Sequence, residues 1–570
     1  MELILDFETY YDSEYSLTKM TTPEYLRDPR FRVLGCAVHC AGERPRYLQA
    51  DEIHDYLAPR LGHTWVAHNA AFDGAIVWQE YGLSPAHWIC TMMLARYAIA
   101  QGALPPGQRV GLAALGELYG MTKGDTAAAV AAGGDTLRDY ALHDVAITAR
   151  VLRELLPVVP AFERQLIELH TRMATEPVLQ LDTPLLKALS QKAQIPEAVA
   201  SACRSRPQFV QLLERRGVTV ETKPNKKGEA IPAIAKTDSY LQRLRHHADP
   251  IVRVLAETRL QVASTIKESR AARLLAVGSP LPVPLRYYGA HTGRASGEAK
   301  LNLQNLPSRG EAGRLREAIQ APDGHQLVIV DSRQVEVRVL AWLAGNALLL
   351  DAFRAGADPY ALFGAELYGT TPEAIAADPP LRKVAKAAVL ALGFGQGPLG
   401  FVAYCERSGV AMDEQEARRV VEVYRRVNAG VPALWRRSDQ EVATTGQQQL
   451  PSGRVITYPD LRREGREMVY TKHRIFSKSP KGDKVRVWGG LATENLVQAV
   501  ARDAVMWQTL LLTSRYRVVL SVHDEAVLCV PDEQVERARC DALEAFASTP
   551  PWAAGLPLEG EVIVSKTYTK

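Results

Sequence analysis

Acidic residues carried on apolar strands set the terms on which this chain can fold. Its first nine residues, MELILDFET, form an apolar run in which Asp6 and Glu8 sit two apart. A strand alternates its side chains between faces, so both carboxylates project from the same one. Two like charges on a strand meant for the interior need a counter-ion, and a bound metal ion is the natural one. The conflict recurs near the other end of the chain. LVIVDS is an apolar run closing on Asp331, and LSVHDEAVLCV holds Asp524 between two apolar runs. Taken alone, Asp6 and Glu8 also read as exposed strand acids, and Asp331 and Asp524 each also read as a strand-end cap.

At 570 residues the chain exceeds one compact core, and its 47% hydrophobic content suits several packed domains rather than disorder. No apolar run approaches the roughly eighteen residues of a membrane span, and the start is strand-like rather than signal-like. A cytoplasmic protein with no membrane association is expected. The seven cysteines are scattered and odd in number. Cys36 and Cys40 have no second pair at zinc-ligand spacing, so reduced thiols are expected. The net charge of +4 is unevenly spread. Residues 1–155 hold 13 Lys and Arg against 19 Asp and Glu, a balance of −6. Residues 201–275 hold 15 against 7, and residues 451–490 hold 10 against 4, giving +8 and +6. Either basic stretch suits a nucleic-acid backbone, or else a solvated face that binds nothing.

The order of elements divides the chain. LILDFET, VLGCAVHC and WVAHNAAFD read as strands, followed by the helical LRDYALHDVAITARVLRELL, which predicts a mixed-sheet α/β domain ending at the prolines between Pro157 and Pro160. Helices continue to about residue 284, broken by the basic KPNKKGEAIP. PLPVPLRYYGAHTGR opens a strand-like segment, residues 341–440 are Ala-rich and helical, and a helix near 491–513 precedes a strand, turn and strand.

Just after an apolar strand, Asn69, Phe72 and Asp73 form an Asn-x-x-Phe-Asp unit, and Tyr140 precedes Asp144 by four on a predicted helix, which puts the two on one face. With Asp6 and Glu8, these residues resemble the proofreading exonucleases of RNase H-like fold that carry a tyrosine in their third motif. The resemblance implies that Asp6, Glu8, Asp73 and Asp144 hold two metal ions, one activating the attacking water and one the leaving oxygen, with Tyr140 orienting that water.

Between Asp331 and Asp524 lies LRKVAKAAVLALGFGQG, in which Arg382, Lys386, Leu390 and Phe394 recur every four residues. Two cations followed by an aromatic suit a triphosphate and a stacking base. An amphipathic helix with a solvated basic edge is the alternative. The three motifs in this order resemble the palm and fingers of family A DNA polymerases. By that resemblance Asp331 and Asp524 are the metal-binding aspartates of the palm. Arg382 and Lys386 hold the incoming triphosphate, Lys386 also donating to the leaving phosphate, and Phe394 is the aromatic at the nucleotide end of the fingers helix. In HTGRASGEAKLNLQNLP, Arg294, Gln304 and Asn305 resemble primer–template contacts. Gln498 and Arg502 resemble the palm helix that meets the duplex, and His523 the residue beside the primer end.

The family's first palm motif usually reads Asp-Tyr-Ser-Gln-Ile-Glu. Here Ser332 and Arg333 depart from it, while Gln334 and Glu336 hold. Glu336 is expected beneath the incoming sugar against Phe394, or alternatively paired with a nearby arginine such as Arg338. Leu390 stands where many relatives have an aromatic, and Phe394 where tyrosine is usual.

The expected architecture is multidomain α/β and α+β: an RNase H-like exonuclease over 1–157, thumb over 158–284, palm over 285–340 and 441–570, and fingers over 341–440. The expected cofactor is Mg2+ or Mn2+, two ions per site. The expected partners are primer–template DNA and deoxynucleoside triphosphates, acting on a monomer of phage or prophage type in a bacterial cytoplasm. Two rivals are a nuclease whose C-terminal part is only a DNA-binding platform, and a non-catalytic nucleic-acid scaffold.

Overall fold

The computed structural model describes residues 1–191, 195–225, 229–235, 238–262, 266–298, 301–307, 310–476 and 482–569. The basic insert KPNKKGEAIP therefore falls partly outside the described residues, as do two positions of HTGRASGEAKLNLQNLP and five of the second basic stretch. The chain divides into two compact units, one built from Met1–Gln180, Ser279–Asn305 and Gln320–Lys570, the other from Leu181–Gly278 and Leu306–Ile319.

The first unit is built around two larger sheets. The N-terminal sheet has β1 (Glu2–Thr9), β2 (Val33–Cys40), β3 (Arg46–Leu48), β4 (Thr64–Ala67) and β5 (His87–Cys90) in the order β3-β2-β1-β4-β5. β1 runs antiparallel to β2 and parallel to β4. Leu3, Ile4, Leu5 and Phe7 are all buried, so this central strand is covered on both faces. A register irregularity follows Glu8, and Gly35 opposite it has no room for a Cβ because the Tyr47 ring crosses there. Helices α1 (Ala70–Tyr81), α2 (Gly134–Leu155) and α3 (Ala161–Thr175) follow.

The second sheet is antiparallel throughout, with β6 (His325–Ser332), β7 (Arg517–Val522), β8 (Glu525–Pro531) and β9 (Gly560–Ser565) in the order β7-β8-β6-β9. Its helices include α4 (Val335–Ala344), α5 (Pro379–Leu392), α6 (Gly489–Thr513) and α7 (Val535–Ala547). α6 has buried residues on every side, the mark of a helix at the centre of a core.

α3, which the sequence groups with the thumb, is tied into this unit by buried charge. Glu163 accepts two hydrogen bonds from Arg502 of α6, at 2.7 and 3.0 Å, and Arg454 donates to Asp503 at 2.9 Å and to the Tyr288 hydroxyl at 2.7 Å. Two guanidinium groups and two carboxylates balance in a region that water does not reach. Removing one partner leaves an uncompensated buried charge, so Glu163→Ala is expected to destabilise the unit by about 3–5 kcal/mol. The check is the thermal midpoint: a drop of several degrees is expected, and an unchanged midpoint contradicts the network's role.

The second unit is helical, with Thr183–Ser190, Glu197–Arg204, Arg206–Glu214, Ser239–Leu244, Pro250–Val262 and Ile266–Val277, plus a hairpin of Thr222–Pro224 with Ala230–Pro232. Its core gathers Cys203, Phe209, Leu213, Ile234, Leu241 and Val252.

Candidate functional sites

The first site forms where β1 meets α2. One carboxylate oxygen each from Asp6, Glu8 and Asp144 lie within 4.8 Å of one another. Asp73 joins from the first turn of α1, its Oδ1 accepting the Phe7 N–H at 3.2 Å. Asn69, just before α1, has φ 74°, a left-handed conformation uncommon outside glycine that starts the helix directly after β4. Burial pushes Asp6 up to about 6, against the pull of Lys123. Burial first and the charge of Asp6 second push Glu8 up to about 8, and the same two causes raise Asp73 well above the usual carboxylate range. Asp144 is 1% exposed, and its Oδ1 has no hydrogen-bond partner among the described residues. Four hard oxygen donors with too little positive charge between them fit divalent cations. Tyr140 lies one turn before Asp144, its hydroxyl 2.6 Å from that of Thr126, and burial pushes it up to about 12 so that it remains a neutral phenol.

The sequence did not single out Lys123, which the fold places in this cluster with its ammonium bonded to Asp144. Nothing in MTKGDT marks it, because its contacts come from β1 and α2 rather than from its neighbours.

The second site lies at the end of β6. Asp331 is in register with Glu525 on one side and Glu561 on the other, and the Ser332 N–H donates to the Asp524 carbonyl at 2.8 Å. Asp331 and Asp524 thus stand on adjoining strand ends. His523, in the two-residue turn before β8, has φ 54°, and Gln334, between β6 and α4, has φ 55°. Left-handed residues on both sides of an acid pair are backbone strain held where the acids must be aimed. Glu525, also missed by the sequence reading although adjacent to Asp524, is 1% exposed and accepts the Tyr568 hydroxyl at 2.7 Å.

Arg294 reaches Glu336 at 2.6 Å. Arg338 turns away to Glu559, with its guanidinium 4.3 Å from the Phe353 ring centroid, so the alternative of an arginine pair for Glu336 is met by Arg294 rather than by Arg338. On α5, Arg382 bonds Asp358 at 2.6 Å, and Arg382 and Lys386 lie 5.5 and 5.7 Å from the Tyr360 ring centroid. Leu390 is 38% exposed on the same helix. The repeat of four outlasts the helix, which ends at Leu392. Gly393 and Gly395, the latter at φ 81°, turn the chain, and Phe394 sits in that turn, where Trp435 donates to the Gly393 carbonyl at 2.7 Å.

Arg294, Gln304, Arg502 and His523 line one small cavity with Tyr287 and Ser521. Gln304 donates to the Ser521 carbonyl at 3.3 Å, Gln498 donates to Glu494 at 3.2 Å, and Asn305 closes the short turn Leu303–Asn305. Arg502 corrects the expectation of a surface contact. It is 4% exposed and hydrogen-bonded to Glu163, Asp503 and Tyr287, so it supports the site from beneath.

Residues 185–570 match the model of DNA polymerase family A. The chain belongs to that family. Template-directed DNA synthesis, a nucleotidyl transfer that uses divalent metal ions, is the reaction that membership carries. The family A chain is 25% identical over 670 aligned positions to the DNA polymerase of Bacillus phage SP02, covering 100% of this chain and 99% of that one. It is 28% identical over 440 to the thermostable DNA polymerase I of Thermus filiformis, and 30% over 263 to DNA polymerase I of Pseudomonas aeruginosa. Those alignments span 49% and 26% of the two bacterial proteins. In fold it resembles the POL domain of Pol1 from M. smegmatis, solved with DNA primer-template and dNTP, with a TM-score of 0.71 and 20% identity over 99% of this chain and 95% of that one. No helix among the described residues is long and apolar enough to cross a membrane.

Proposed function

We propose that this polymerase extends a DNA primer with deoxynucleotides and edits the 3′ end through the acid cluster of residues 1–157, in phage or prophage DNA replication. The observation that carries the editing half is the convergence of Asp6, Glu8 and Asp144, with Asp73 tied to the backbone beside them. The phage half is supported by the match to the SP02 polymerase over nearly its whole length. Magnesium ions, two per site, would be held by Asp6, Glu8, Asp73 and Asp144 and by Asp331 and Asp524, and when bound would supply activation of the attacking water or hydroxyl and neutralisation of the leaving oxygen.

The chain's own groups bind and position. Asp331 and Asp524 hold the metal side of the palm. Arg382 and Lys386 take the triphosphate, Lys386 being exposed and able to neutralise the leaving phosphate, while Phe394 in its turn and Leu390 face the base. Gln334, in its left-handed turn before α4, is placed to support this surface. Arg294, Gln304, Asn305, Gln498 and His523 meet the primer–template. The helical unit within residues 158–284, Leu181–Gly278, acts as thumb, its basic segment gripping phosphates without reading sequence. In the editing site Tyr140 orients the water.

The test is one primer–template with a 3′ mismatch and Mg2+. Nucleotides should give trimming followed by extension, their omission should give shortening alone, and a chelator should stop both. Extension without any shortening contradicts the editing half.

Glu336 is read as the sugar gate, its carboxylate held by Arg294 where a 2′-hydroxyl would go. Glu336→Ala should narrow the preference for deoxynucleotides over ribonucleotides by about 1–3 kcal/mol, the worth of one pocket contact. The ratio of the two kcat/KM values, measured with the editing site silenced, decides it. An unchanged ratio leaves Glu336 as a structural partner of Arg294.

A further inference from the structure

Lys123 brings a cation into the editing site from an element that carries none of the four acids. It lies in the segment between helices Leu112–Leu118 and Thr126–Ala132. Its side chain is 20% exposed, its ammonium is bonded to Asp144, and the same nitrogen lies 4.6 Å from the Tyr140 ring centroid. The segment is fastened to α2 on both sides of the lysine: the Thr122 carbonyl lies 3.0 Å from His143 Nε2, and Thr126 bonds the Tyr140 hydroxyl. The ammonium is therefore held in the cluster rather than passing through it.

Its position conflicts with a metal ion. One Asp144 oxygen is bonded to Lys123 and the other is buried with no hydrogen-bond partner among the described residues. A divalent ion that takes the lysine-bonded oxygen must expel the ammonium. The four-carbon stem keeps the displaced ammonium close by, and in a site that is largely buried it gains by meeting a new anion. Counting charge identifies that anion. Four carboxylates balance two divalent ions, which leaves one positive charge on Lys123, and a single phosphodiester cancels it.

We propose that Lys123 is a movable counter-ion that couples metal loading to DNA binding in the editing site: it pairs with Asp144 in the resting protein, yields that oxygen to the metal, and moves to the phosphodiester at the strand's 3′ end. This rests on the editing role proposed for the acid cluster. DNA then tightens metal binding by giving the expelled ammonium a partner, and metal tightens DNA binding by the same factor.

The experiment uses the full chain with the palm silenced by Asp331→Asn and Asp524→Asn. Calorimetric titration with Mg2+ is run with and without a short single-stranded oligonucleotide whose 3′-terminal linkage is a phosphorothioate. With Lys123 present, the oligonucleotide is expected to tighten Mg2+ binding by about tenfold. In Lys123→Met, Mg2+ should bind more tightly than before in the absence of DNA, and the oligonucleotide should add little. Lys123→Gln should behave as Lys123→Met does, which guards against a packing defect peculiar to one replacement, and thermal unfolding without metal reports that each chain is folded. Unchanged Mg2+ affinity and unchanged tightening in folded Lys123 variants overturn the inference, and so does weaker Mg2+ binding in the absence of DNA. If Mg2+ binding is the same in a chain with Asp6→Ala and Glu8→Ala, the acids hold no metal, and the editing reading itself falls.

Discussion

Primer extension should fall by about a thousandfold or more when Asp331 or Asp524 becomes asparagine, while shortening of single-stranded DNA continues near the wild-type rate. Asparagine keeps the shape of the side chain and removes its charge, so β6, β8 and the Ser332-to-Asp524 backbone bond should survive. What would be lost is the anionic oxygen proposed to hold a metal ion against the developing charge. A loss of roughly 4 kcal/mol of transition-state stabilisation corresponds to that thousandfold. The acids proposed for editing lie on β1, α1 and α2, in a different sheet and helix set, and should not feel the change. The two rates are measured on one preparation, extension with nucleotides and shortening without them. Extension by either variant at near wild-type rate would sink the palm assignment.

The parts of these sites legible in the sequence are those whose geometry is local. Period two puts Asp6 and Glu8 on one face of β1, and a spacing of four puts Tyr140 and Asp144 on one face of α2. Where a residue's partner is distant, the local signal stops. Arg502 carries the pattern of a helix that meets DNA, yet its environment is set by Glu163, far back in the chain, and the pair buries both. Lys123 is invisible for the same reason. Arg338 follows Glu336 by two, a spacing that places the side chains apart on a helix, and each finds its partner outside α4.

Phe394 shows a different failure. The repeat of Arg382, Lys386, Leu390 and Phe394 is regular in sequence, but Gly393 and Gly395 favour a turn at that point and the helix stops at Leu392. The residue types were legible, whereas the backbone state of the last one was set by the glycines flanking it.

Replacing Asp6 and Glu8 together by alanine should remove 3′→5′ shortening and leave extension near the wild-type rate. The two carboxylates supply half of the four-acid set and lie on a different sheet from β6. A second readout separates loss of metal ligands from general damage to the domain. In metal-free buffer, burial and Asp6 push Glu8 up to about 8 from the 4.5 of an unburied glutamate. The folded protein then holds a proton on Glu8 that the unfolded chain has released, so stability is full below about pH 4.5 and is lost as pH rises toward 8. The wild-type thermal midpoint in chelator should therefore decline across that window, and added Mg2+ should recover it by replacing the proton. The double variant has no such group on β1 and should show a flatter profile with little response to Mg2+ once the palm is silenced. If the variant still shortens a 3′ end, a different nuclease site exists. If it loses shortening but keeps the wild-type pH profile and Mg2+ response, the acids are not buried against one another in the way that makes them metal ligands.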